Sequence, residues 1–260
     1  GREALWNALN PQLLVRVNGT VVQALDTNHH SFLLSFSAQP GTIYTLDFEA
    51  YAGREHGTQS FHDLPAQFVL TAYCHDRLSE QVYYDFYTAR KAAELHPETD
   101  YRRIQIETYL TQAMNLLDCR IPGSADYFAS LKEAARFMRE EFYDKLCKDD
   151  SVIANCIGHT HIDVAWLWRL EQTRAKAVRS FSTELALMDE YPEHFFMSSQ
   201  PQLYEYVKQD CPEVYEKIKQ RVKEGRWEVE GAMWLEADCN LSSGESLIRQ
   251  ILHGKRFMQQ

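Results

Sequence analysis

The spacing of apolar residues changes twice along this chain, and each change restricts what the flanking segments can fold into. In residues 12–76 apolar residues form short runs broken by turn residues, which is typical of strands. In residues 78–147 they recur every three or four positions, which predicts amphipathic helices. After Asp149 and Asp150, strand-like runs alternate with helical segments, and this alternation predicts a parallel sheet. A length of 260 residues suits two or three such domains.

Residues 1–76 are predicted to form a β-rich, jelly-roll-like or sandwich-like domain. Asn18-Gly19 separates two apolar runs, LLVRV and TVVQAL, and an Asn-Gly pair supplies the positive φ angles of a two-residue hairpin turn. Further strands are predicted in residues 31–38, 42–53 and 65–75. Five β-rich segments at short spacing are typical of a small sandwich.

Residues 77–150 are predicted to form a helical linker or bundle, because three amphipathic segments follow one another with short connections. These segments are Leu78–Leu95, Glu98–Cys119 and Ala125–Cys147.

Residues 151–260 are predicted to be the amino-terminal part of an α/β catalytic domain, truncated within its sheet. Strands are predicted at SVIANCIG, HFFMSS and WEVEGAMW, with helices between them and a last helix capped by Ser242 and Glu245. Three parallel strands are few for a closed or doubly covered sheet, and no stop signal precedes Gln260. We therefore expect the chain to be part of a longer protein.

Charge and cysteine content exclude several classes of protein. The net charge of −10 disfavours nucleic acid or an anionic membrane as a partner, because such surfaces require clustered Lys and Arg. No apolar run has the ~18 residues of a spanning helix. Six scattered cysteines without a C-x-x-C pair suit reduced thiols, so we expect a soluble cytoplasmic protein.

The segment Gly158–Asp163 directly follows the first predicted strand of the α/β part. Alternate residues of an extended segment project to one side, so His159, His161 and Asp163 can converge at the end of the sheet. Two imidazoles and a carboxylate are good ligands for zinc or a similar divalent metal. Equally, Asp163 could cap the following helix and either histidine could be a core residue.

A second acidic segment, Glu236–Asn240, follows the last predicted strand. Its carboxylates could serve as nucleophile, general base or metal ligand, or could simply form a solvated loop. Trp166 follows the first motif, and its ring could stack on a sugar or belong to the core.

GHTHIDVAWLW and EVEGAMWLEADCNLSSGESLIRQILHG together resemble the start of the catalytic domain of glycoside hydrolase family 38, the zinc-dependent retaining α-mannosidases. Residues 49–55, EAYAGRE, are similar to a motif of the bacterial and cytosolic branch. The resemblance implies a distorted α/β barrel, continued beyond Gln260 by a helical bundle and β domains. It also implies a mannosyl oligosaccharide substrate, while a homo-oligomer is left open.

Carried over residue by residue, the resemblance implies His161, Asp163 and Asp238 as zinc ligands and Asp238 as the nucleophile. It places Trp166 against the sugar to be cleaved and does not make His159 a ligand. The fourth ligand, a histidine, and the acid/base aspartate would come from family segments outside this chain, so we expect the chain by itself to be inactive.

Two classes of alternative to a mannosidase remain: a different metallohydrolase and a non-catalytic carbohydrate-binding protein. An amidohydrolase-like enzyme also uses an H-x-H motif, but it gives no account of Asp238 or Trp166. A metallo-β-lactamase-like enzyme requires a histidine directly after the aspartate, where this chain has Val164. A non-catalytic carbohydrate-binding protein would bind sugar through residues 1–76 alone.

Overall fold

The structure is a computed structural model that describes residues 12–26, 28–51, 69–147 and 152–260, and the chain divides into two compact units. One unit contains Gly1–Leu64 together with Asn155–Gln260, and the other contains Pro65–Ala154. The strand-rich segment therefore packs with the α/β segment, although the sequence assigns the two to separate domains. Within the described parts of the chain, no helix is both long enough and apolar enough to cross a membrane.

The strand-rich segment forms an antiparallel sheet with strand order β2-β1-β3. Its strands are β1 (Gln12–Val17), β2 (Thr20–Leu25) and β3 (Leu46–Tyr51). The predicted hairpin turn is confirmed, because Asn18 and Gly19 have φ angles of 52° and 82°. Asn18 Oδ1 also accepts a hydrogen bond of 2.9 Å from Thr45 N, which joins the turn to the start of β3.

The strand predicted at residues 31–38 is wrong. This segment has no strand pairing, and Phe36 is 70% exposed. Phe32 instead contacts β3 through its ring, 6.2 Å from that of Phe48, so the apolar run is used for side-chain packing. Residues 42–45 and 69–75 are likewise not strands, while residues 52–68 lie outside the described residues. The described part of the predicted sandwich is thus one three-stranded sheet.

The second unit contains the three predicted helices. They are α1 (Arg77–Glu94), α2 (Tyr101–Met114) and α3 (Ala125–Phe137), and the last continues as a π-helix over Met138–Leu146. Each α-helix begins after a residue whose side chain accepts a hydrogen bond from the backbone of the first turn: Asp76, Asp100 and Ser124.

The α/β segment contains the predicted parallel sheet, with strand order β4-β5-β6. The strands are β4 (Gly158–His159), β5 (Phe196–Ser198) and β6 (Trp227–Val229). The helices are α4 (Leu170–Glu190), α5 (Pro201–Asp210), α6 (Pro212–Lys223) and α7 (Gly244–Met258). The mixed helix-and-sheet fold is confirmed, and the described strands form open sheets rather than a closed barrel.

Several predicted boundaries in this segment are wrong, and β6 ends at Val229 rather than continuing to Trp234. Strand β4 has only two residues, because residues 152–157 find no pairing partner among the described residues. Helix α7 is capped by Ser243, whose Oγ accepts from Ser246 N, rather than by Ser242. Ser242 belongs to the preceding turn, since its backbone N donates to Asp238 O.

Aromatic side chains hold the parallel sheet to its helices. The Phe196 and Trp227 rings lie 4.5 Å apart on adjacent strands, and Phe181 of α4 packs on both. The Trp227 indole N–H donates to the Tyr204 hydroxyl, which donates to Ser198 O at the end of β5. Burial raises the pKa of Tyr204, so this hydroxyl keeps its proton.

Candidate active site at the ends of the parallel strands

The candidate residues lie in loops at the carboxyl ends of β4 and β6, where ligands bind in open parallel sheets. The first loop carries His161 and Asp163, and the second carries Glu236 and Asp238.

His161 lies between carboxylates of both loops. Its Nε2 is 3.1 Å from Asp163 Oδ1, and its Nδ1 is 3.0 Å from Glu236 Oε2. The hydrogen bond to Asp163, with the charge of Glu236, raises the pKa of His161 above its ordinary value. His161 is therefore the residue that joins the two loops.

The two structural alternatives for the first loop, a helix cap at Asp163 and a histidine in the core, are wrong. Helix α4 begins after Arg169, so Asp163 is not its cap. His159 and His161 are both exposed, so neither is a core residue.

Buried contacts hold the first loop in place. The Ile162 side chain lies in the core, and its carbonyl accepts a hydrogen bond of 3.2 Å from Gln200 Nε2. The Asp163 carbonyl accepts from Thr173 Oγ1 at 3.1 Å, and Thr173 in turn accepts from the Trp168 indole. The side chains of His161 and Asp163 thus extend from a backbone that is fixed on both sides.

Trp166 lies beside this loop and is 58% exposed, which excludes a core role. Its ring is 5.6 Å from that of Trp168 and perpendicular to it. The Trp168 indole N–H donates to Thr173 Oγ1, so Trp168 is held in place and supports the exposed ring of Trp166.

Asp238 is exposed, and one of its carboxylate oxygens is used within its own loop. Oδ1 accepts from Asn240 N at 2.8 Å and from Leu241 N at 3.3 Å, which shapes a tight turn. The structure brings Glu236 rather than Asp238 into contact with His161. From the sequence, either carboxylate of this segment could serve as nucleophile, general base or metal ligand, and only the structure shows that Glu236 is the one in contact with His161.

Helices α5 and α7 hold the second loop through Trp234. The Trp234 indole donates to Gln202 Oε1 at 2.8 Å, and Trp234 N donates to Gln250 O at 3.0 Å. Gln250 Oε1 also accepts from Leu235 N at 2.9 Å. Gly254 of α7 packs directly against the backbone of the second loop, since a Cβ at this position would lie 1.7 Å from Ala232 O. The second loop is therefore held between two helices.

The donor set agrees with zinc in its chemistry but is not gathered around one point. Imidazole nitrogen and carboxylate oxygen are the zinc donors that His161, Asp163 and Asp238 offer. Among the described residues, however, no three His, Cys, Asp or Glu side chains form a group that could hold a metal ion. Asp238 is the expected ligand that stays apart, because its Oδ1 is bonded within its own loop.

Comparison with known proteins identifies the α/β segment. Residues 151–260 match the family model described as the Glycosyl hydrolases family 38 N-terminal domain, which confirms the resemblance over that part of the chain.

Similar proteins include Alpha-mannosidase G of Dictyostelium discoideum, 44% identical over 121 residues, which are 46% of this chain and 11% of that protein. Alpha-mannosidase of Saccharomyces cerevisiae is 34% identical over 188 residues, which are 68% of this chain and 17% of that protein. Alpha-mannosidase 2C1 of Homo sapiens is 37% identical over 126 residues, 48% of this chain and 12% of that protein. The chain thus matches less than a fifth of the length of each relative.

Proposed function

We propose that this chain, whose residues 151–260 are a glycosyl hydrolases family 38 N-terminal domain, supplies the nucleophile and part of the metal site of a retaining α-mannosidase. The observation that carries the proposal is the contact of His161 with carboxylates from both strand ends. The named relatives, all α-mannosidases, support the reaction class.

In this proposal zinc is held by His161, Asp163 and Asp238, with a further ligand from another family segment. When bound, zinc supplies a Lewis acid that can grip the cis 2- and 3-hydroxyls of mannose and so favour distortion of the ring. To join His161 and Asp163 on zinc, Asp238 would offer the carboxylate oxygen that does not accept from Asn240 and Leu241. The chemistry of the donors supports zinc.

Asp238 is the proposed nucleophile. Its carboxylate attacks the anomeric carbon to give a covalent mannosyl-enzyme, while a second carboxyl group protonates the leaving oxygen and then activates water. In retaining enzymes the two carboxyl groups lie about 5–5.5 Å apart. The family resemblance assigns that second group to a segment other than residues 151–260.

Trp166 is proposed to bind the sugar that is cleaved. Trp166 is 58% exposed, and an indole face can pack on the C–H side of a pyranose. The proposed substrate is a mannosyl oligosaccharide. The six free thiols, five of them exposed, support a cytoplasmic protein.

The test is hydrolysis of an aryl α-mannoside by the mannosidase that carries this chain, before and after removal of metal by a chelator. We expect activity to fall on chelation, to return with zinc, and to release the α-anomer of mannose first, as judged by NMR. Hydrolysis of amide substrates without mannosidase activity would instead favour the amidohydrolase-like alternative. Sugar binding by residues 1–76 alone, without hydrolysis, would favour a carbohydrate-binding protein.

A further inference from the structure

The segment that follows β5 offers no carboxylate or imidazole, yet it contacts both loops of the candidate site. Gln200 Nε2 donates to the carbonyl of Ile162, a residue of the first loop, at 3.2 Å. Gln202 Oε1 accepts from the indole N–H of Trp234, a residue of the second loop, at 2.8 Å. Gln202 N also donates to Trp234 O at 3.0 Å, so the second contact is double.

The two glutamines use opposite ends of their side-chain amides: one donates through its NH₂ group and the other accepts through its carbonyl oxygen. A backbone carbonyl can only accept a hydrogen bond, so Gln200 must offer its NH₂ to Ile162. An indole N–H can only donate, so Gln202 must offer its carbonyl oxygen to Trp234. A change from amide to carboxylate therefore removes the first contact and preserves the second.

The backbone that separates the two contacts is short and conformationally restricted. Only Pro201 separates Gln200 from Gln202, so their Cα atoms are at most about 7 Å apart. Gln200 is 4% exposed and has a φ of 64°, a left-handed conformation that a non-glycine residue keeps only when its surroundings enforce it. Pro201 then begins helix α5 with a fixed φ. The contacts to the two loops thus originate two residues apart on a constrained backbone.

We infer that Gln200 and Gln202 are positioning residues that set the separation between the loop of His161 and Asp163 and the loop of Glu236 and Asp238. The inference rests on the proposed function for its consequence, namely the placement of ligands and nucleophile. The link that Gln200 and Gln202 make between the two loops rests only on their hydrogen bonds to Ile162 and Trp234. Replacing a group that orients metal ligands without touching the metal typically lowers metal affinity 10–100-fold.

The test uses the mannosidase that carries this chain, as wild type and as four variants. Gln200→Glu removes the donor to Ile162, Gln202→Leu removes the acceptor for Trp234, and Gln202→Glu keeps that acceptor. Gln209→Glu is the matched control, since it makes the same change on the exposed end of the same helix. Zinc dissociation constants and hydrogen exchange of the two loops are measured for each.

We expect Gln200→Glu and Gln202→Leu to weaken zinc binding at least about 10-fold, and Gln202→Glu and Gln209→Glu to stay within about twofold of wild type. We also expect Gln200→Glu to speed exchange in residues 234–240, a loop that Gln200 does not contact in the hydrogen bonds described. If Gln200 acted only on the first loop, hydrogen exchange in residues 234–240 would stay at the wild-type rate.

The inference is overturned if folded Gln200→Glu leaves exchange in residues 234–240 unchanged, or if Gln202→Glu loses as much zinc affinity as Gln202→Leu. A wild-type mannosidase that binds no zinc would count against the proposed metal site, and the exchange comparison would still decide whether Gln200 and Gln202 couple the two loops. If Gln200→Glu does not fold, the two Gln202 variants decide it through exchange in residues 159–163.

Discussion

Asp238 is held by its own loop in a way that a neutral side chain can imitate. The Oδ1 atom of asparagine can accept the same hydrogen bonds from Asn240 and Leu241. In the mannosidase that carries this chain, we therefore expect Asp238→Asn to keep the fold but to lower activity at least about a thousandfold. A loss of this size is within the range measured when a nucleophile is removed. Circular dichroism and aryl α-mannoside hydrolysis check the two halves of this expectation. Normal turnover by the variant would remove Asp238 from the mechanism.

His161 and His159 differ in what their side chains contact, although they lie two residues apart on one strand end. Only His161 is proposed as a ligand, and it already lies between Asp163 and Glu236. We expect His161→Ala to lower zinc content far more than His159→Ala, as measured by elemental analysis after dialysis. Equal losses would favour an H-x-H metallohydrolase.

Tyr143 makes the stability of the helical unit depend on alkaline pH. Its hydroxyl donates to Asp85 O at 2.8 Å, and burial raises its pKa to about 12. The unfolded pKa is about 10, so the folded state keeps the proton longer, and this contribution is present below pH ~10 and lost as the pH rises towards 12. We expect wild type to lose more stability than Tyr143→Phe between pH 9 and about 12 in urea unfolding. A constant difference between them over that range would contradict this assignment.

At the scale of elements, the contact of helix α7 with the loop after β6 depends on Gly254. A Cβ at this position would lie 1.7 Å from Ala232 O, whereas a Cβ at Gly244 on the same helix meets nothing within 4 Å. We expect Gly254→Ala to destabilise the fold by about 1–3 kcal/mol or more through overpacking. Gly244→Ala should be neutral or stabilising by about 0.4–1 kcal/mol. Urea unfolding of both variants makes the comparison, and similar values for the two would show that the loop yields.

Element types were largely predictable because period and turn chemistry are local properties. The Asn18-Gly19 hairpin and the helix–strand alternation after residue 151 are confirmed for that reason. The strand predicted at residues 31–38 was wrong because a strand also requires a pairing partner, and Phe32 used its ring instead. The role of Glu236 could not be predicted, since its contact with His161 depends on how two loops meet in space.

At the scale of the whole molecule, the described residues bring the proposed ligands near one another without gathering them. A zinc site commonly needs three well-fixed donors, and here Asp238 is bonded within its own loop. We expect the purified 260-residue chain to hold much less than one zinc per molecule and to hydrolyse aryl α-mannosides poorly. Metal analysis and the hydrolysis assay test this directly. Stoichiometric zinc with rapid hydrolysis would show that the ligand set is complete or wrongly assigned.

The perpendicular pair of Trp166 and Trp168 gives this site an optical signature. Two indoles whose rings lie 5.6 Å apart are close enough for their electronic transitions to couple, and coupled indoles give paired bands of opposite sign in a circular dichroism spectrum when their transition dipoles are suitably oriented. Trp168 is anchored to Thr173, so a sugar that turns Trp166 changes the angle between the two transition dipoles. Ligand occupancy could then be followed by light alone, without a label and without turnover.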